Sequence, residues 1–148
     1  MALSLGRAVV RVELALYCTH GLNGECIVDL GPRTRDVAGR REAARATALV
    51  ALAGPAAVCR ILGQPTWLTA GNGDYDSAYR AVAAEVGHTW AGPIVDHHWR
   101  EAIEAFEDAD MARAAKRIAG WLKADGRLGG ERCRELFEAE MGWDGFDD

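Results

Sequence analysis

The stretch from Ala46 to Val82, ATALVALAGPAAVCRILGQPTWLTAGNGDYDSAYRAV, decides how the chain is read. Its first half is apolar on nearly every side, the pattern of a helix buried in a core. Gly63-Gln64-Pro65 ends that helix, and Trp67 to Gly73 reads as a loop. Asn72 or Asp74 then opens a second helix, on which Tyr75, Ala78, Tyr79, Val82 and Val86 share one face. Pro55 sits in mid-run, so a kink or break is expected near Ala51 to Gly54. The small residues Ala53, Gly54, Ala56 and Ala57 would let a neighbouring helix approach closely.

Working toward the N-terminus, the first helix begins near Val37, with Asp36 placed to cap it. Arg33 to Arg45 is the one basic cluster, read as the solvated start of this helix. Before it, Glu25 to Leu30 reads as a strand. Thr19 to Gly24 has turn chemistry ending in Asn-Gly, so a hairpin is expected. Residues 4 to 17 fit either a strand, from the alternation of Val10, Val12 and Leu14, or a helical face through Val9, Glu13, Leu16 and Tyr17.

Toward the C-terminus, His88 to Gly92 reads as a loop and Pro93 as the first turn of a helix. Val95, Trp99, Ala102 and Phe106 form that helix's apolar stripe. A further helix is expected from about Ala109 to Ala124, with Met111, Ala115, Ile118 and Leu122 inward. Gly126 stops it, and Leu128 is placed to pack back on it. The last helix covers Glu131 to Met141. The fold class that follows is α+β, mostly α: a short N-terminal β-hairpin on four to five helices. Residues 1–142 form a single domain and 143–148 an acidic tail.

At 148 residues one domain is expected, large enough to bury roughly two thirds of its unfolded surface without a staple. The net charge is −5, a poor match to nucleic acid, whose phosphates need clustered Lys and Arg. None of the four cysteines has C-x-x-C spacing, so no zinc ribbon or redox motif is indicated. Cys59 and Cys133 fall on apolar faces and read as buried thiols, while Cys18 and Cys26 flank the expected hairpin. Arg60 ends the longest apolar run short of a membrane span, and no leader pattern is seen. The expected location is cytoplasmic, with no membrane contact.

The order of elements carries a resemblance. A helix with Leu52-Ala53-Gly54-Pro55-Ala56-Ala57 follows a hairpin. A helix opened by Asn72-Gly73-Asp74-Tyr75-Asp76-Ser77-Ala78 comes next, and Arg127-Leu128-Gly129-Gly130-Glu131 precedes the last. Over roughly residues 46 to 137 this resembles the zinc metallopeptidase domain of FtsH-type proteases, and more closely its small relatives in phages and mobile elements. Those proteins carry L-x-G-x-A-A-E, G-x-x-x-D-hydrophobic-x-x-A and T-L-x-G-x-E at these places. The resemblance implies that Asp74 stands at the third zinc ligand.

The family's chemistry needs H-E-x-x-H, two His on one helix face to bind zinc and a Glu to activate water. This chain has no such motif. Either Leu3, Ser4 and Arg7 stand at its positions, or the motif helix is missing. One carboxylate does not hold a catalytic zinc, which takes three protein ligands.

The resemblance therefore implies a non-catalytic metallopeptidase-like protein of a phage or mobile element. It would act by binding a protein partner, a host-defence component being one candidate. No cofactor is expected. The binding surface would be the groove beside Asp74 with the acidic tail, and Trp67, Trp90, Trp143, Asp144, Asp147 and Asp148 are its candidate contacts. Trp99 and Trp121 read as core. The alternative is a metal-dependent hydrolase whose zinc site is rebuilt around Asp74 from His97, His98 and Glu101, which lie one helical turn apart. Against it stands the plainer reading of a solvated helix face with His98 part-buried beside Trp99. Asp74 and Asp76 likewise suit the N-terminus of a helix, where carboxylates meet free N–H groups and the dipole.

Overall fold

A computed structural model describes residue 2 and residues 8–15, 23–29, 36–64 and 73–142, the segments 8–15 and 23–29 by backbone alone. The described chain is predominantly helical. Five helices form a bundle: α1 (Val37–Leu62), α2 (Gly73–Val86), α3 (His88–Ala105), α4 (Ala109–Asp125) and α5 (Gly130–Met141). Extended backbone occurs in β1 (Ala8–Ala15), β2 (Asn23–Asp29) and β3 (Arg127–Gly129), in the sheet order β2-β1-β3. The antiparallel register sets Val12 opposite Cys26 on one side and Leu128 on the other. The link from β1 to β2, residues 16–22, lies outside the described residues.

Local chemistry sets the helix ends. The Asp36 carboxylate accepts from the N–H groups of Ala38 (3.3 Å) and Gly39 (2.7 Å) and starts α1. Asp108 does the same for α4, accepting from Asp110 and Met111 at 2.9 Å each. At the far end of α4, Gly126 adopts φ 73° and donates its N–H to the Leu122 carbonyl at 2.8 Å. That left-handed position suits glycine. Replacing Asp108 with alanine should cost about 1 kcal/mol, the usual contribution of a side-chain cap. Urea denaturation measures it, and an unchanged midpoint would show the cap to be idle.

The main core centres on α1, α2 and α3, with Met111 and Ala114 of α4 and Phe137 of α5 completing it. Leu49, Leu52, Val82 and Val95 are buried there among the alanines Ala48, Ala56, Ala78, Ala91 and Ala102. Alanine contacts bring helix backbones close, and Phe106, Met111 and Phe137 add larger side chains to the same cluster. A second, smaller cluster joins α4, β3 and α5 through Leu122, Leu128, Cys133 and Leu136. Leu128 thus packs back on α4, as its position after Gly126 suggested.

Several sequence expectations are corrected. α1 runs unbroken from Val37 to Leu62 with Pro55 inside it and buried. Proline removes one N–H bond and normally costs about 3 kcal/mol or a bend; burial of Leu52, Pro55 and Ala56 in one continuous face offsets that here. His88 to Gly92 is helix, the first turn of α3, which puts Pro93 in the second turn. Trp90 is therefore helical and not in a loop, and 66% exposed. Trp121 is no core residue: it is 39% exposed, with the Arg132 guanidinium 4.9 Å from its ring centroid. Trp99 is half-buried against the core. Cys133 is buried and Cys59 only partly so.

By length and composition α1 could cross a membrane, since its best window has a mean hydropathy of 1.4, and 28% of that window is buried. Two of its cations are paired within the protein: Arg45 with Glu101 and Arg60 with Glu107.

Candidate functional site

α3 carries the chemistry that the spacing suggested. His97, His98 and Glu101 present potential ligand atoms within 4.8 Å of one another. The helix explains the grouping, because positions one turn apart share a face. Their surroundings differ. His97 is exposed, Glu101 intermediate, and His98 buried at 7% exposure. The two imidazoles lie 5.6 Å apart, tilted by 49°.

Glu101 is already engaged. One carboxylate oxygen is 3.1 Å from His98 Nδ1, and the other pairs with the Arg45 guanidinium of α1. A carboxylate can only accept, so Nδ1 carries the hydrogen in this bond. Burial works to raise the Glu101 carboxyl, but the bonds and charges of Arg45 and His98 outweigh it and hold it below its usual range. The same pair raises Arg45 above its usual value, chiefly through the hydrogen bond it donates to Glu101. Glu42 adds a second carboxylate to Arg45 at 3.5 Å. A cation entering the His97–His98–Glu101 group would compete with Arg45 for the same carboxylate and be repelled by it.

Asp74 lies in the first turn of α2, exposed, and is not a member of that group. Partial burial raises its carboxyl above the ordinary range. Nearby on α2, Tyr75 and Tyr79 stack with centroids 6.2 Å apart, and Tyr79 also meets the His88 ring at 5.9 Å. The Tyr79 hydroxyl donates to the His88 carbonyl at 3.1 Å, tying α2 to the start of α3, where Trp90 projects. Trp67, Trp143, Asp144, Asp147 and Asp148 lie outside the described residues.

What sequence reasoning missed is a cleft of about 610 Å³ between α1, α2 and α3. Val82, Val86 and Ile94 line it together with Arg41, Arg45 and His98 and the two carboxylates Glu42 and Glu85. The only signal available in the sequence was the i, i+4 spacing of Arg41 and Arg45, which reads equally well as a solvated helix start. The arrangement offers a mostly apolar pocket with a few converging polar groups, the usual makeup of a ligand site. No protein-family model, curated protein or solved structure matches this chain.

Proposed function

We propose that the chain is a non-catalytic, metallopeptidase-like helical protein of a phage or mobile element, acting in the cytoplasm by binding a protein partner such as a host-defence component. In this reading the N-terminal hairpin packs on the helical bundle as it does in the resembling peptidases. The observation that carries the binding role is Trp90, 66% exposed in the first turn of α3. Exposed tryptophan is costly in water and is enriched among the residues that dominate binding at interfaces. The acidic residues Asp144, Asp147 and Asp148 would favour a basic partner by charge, with Trp67 and Trp143 as further candidate contacts.

The test is co-purification from the natural host, wild type against Trp90→Ala. The binding reading expects a defined partner with the wild type and its loss, by about tenfold or more in affinity, with the variant. Full retention by Trp90→Ala, confirmed with the isolated partner, would remove the proposed surface.

A second reading, a metal-dependent hydrolase with zinc rebuilt around Asp74, is favoured by one observation, the clustering of His97, His98 and Glu101. It expects stoichiometric zinc in the purified protein, lost in both His97→Ala and Asp74→Ala. Elemental analysis decides it, and metal-free protein that takes up no zinc on dialysis would end it.

A further inference from the structure

The cleft between α1, α2 and α3 has a charge pattern that the protein-binding reading does not use. Most of the ions around it cancel in pairs, Arg40 with Glu85 and Arg45 with Glu101 and Glu42. Arg41 lines the cleft and makes no ion pair with any described residue. It is an exposed, always charged fork suited to a planar carboxylate.

The second observation comes from His98. It is 7% exposed and lines the same cleft. Its Nδ1 hydrogen goes to Glu101, so in the neutral ring Nε2 is left as an acceptor. No described residue donates to it. A buried polar atom of this kind needs a partner, and the cleft is where one can reach it.

We infer that the cleft binds a small organic acid with an apolar body and a hydroxyl donor. Val82, Val86 and Ile94 cover the body, Arg41 grips the carboxylate at the rim, and the hydroxyl donates to His98 Nε2. A volume of about 610 Å³ admits an aromatic hydroxy acid with room for water. Glu42 and Glu85 in the lining disfavour a doubly charged anion, so a monocarboxylate is the matching class.

The experiment is calorimetric titration of the full chain with hydroxyphenylpropionate, phenylpropionate and tyramine. The first should bind. The second lacks the hydroxyl and should bind about tenfold more weakly, the usual loss when a hydrogen bond at a desolvated site goes unmade. Tyramine exchanges the carboxylate for an ammonium and should bind more weakly than either acid. Arg41→Gln should weaken both acids by about tenfold without changing the thermal midpoint, since it breaks no ion pair among the described residues. Arg134→Gln on α5 should change nothing. Equal binding of the two acids, tyramine binding as tightly as an acid, an Arg41→Gln variant that binds like wild type, or no acid binding in the millimolar range would each overturn the assignment.

Discussion

Replacing Leu52 with alanine should lower the free energy of unfolding by about 3 kcal/mol. Leu52 is fully buried, at 0% exposure, in the face of α1 that meets the other core helices. Truncation removes apolar contact and leaves a cavity, and its cost depends on how far the surroundings can collapse. Here they can collapse little. Many buried members of this core are alanines, which have no side chain to swing into a gap, and the larger Phe106, Met111 and Phe137 are themselves buried in it. Leu62→Ala is the matched control: it removes the same atoms from a site that is 63% exposed. That variant should fall within about 0.5 kcal/mol of wild type. Urea denaturation of both variants supplies the comparison, and similar losses at the two positions would mean that the core has been misplaced.

Removing the Glu101 carboxylate should cost about 2 kcal/mol, because two partners lose their acceptor at once. The Arg45 side chain is 37% exposed and can recover water, which keeps the loss below that of a fully buried pair. The His98 side chain is 9% exposed and cannot. Glu101→Ala, Arg45→Met and the double variant form a cycle whose coupling measures the α1–α3 link directly. The pH dependence has a definite sign. The folded-state pKa of Glu101 lies below its ordinary value of 4.5. Its ionisation therefore contributes stability that is present above that value and is lost as pH falls through the lower, folded-state pKa. Wild type should destabilise across this acid window more steeply than Glu101→Ala, and parallel curves would refute the pairing.

The helix ends were the most legible part of the fold. Asp36 and Gly126 act on their own neighbours within a few residues, so their roles can be read from sequence alone. Pro55 misled for the opposite reason. A proline's local cost argues for a break, whereas the continuity of α1 is decided by burial against helices that are distant in sequence. Trp121 misled because it adjoins Leu122 on the helix wheel. Only one of the two can face the small cluster, and Leu122 takes that place. At the site, His98 and Glu101 are three residues apart and could be paired on a helix from the start. Arg45, which holds Glu101, is 56 residues away. The cleft likewise needs residues from three helices, and no local pattern announces it.

The division of the apolar interior into two clusters has a consequence for how the molecule comes apart. Ile118 packs against both, as a hinge pin shared by two leaves. The segment from α4 through β3 to α5 closes a small core of its own but also lends Met111, Ala114 and Phe137 to the main one, so its opening would uncover part of both. Cys133, inside that smaller core, is hidden from reagents in the closed state and uncovered by such an excursion. The thiol is thus a built-in reporter of partial unfolding.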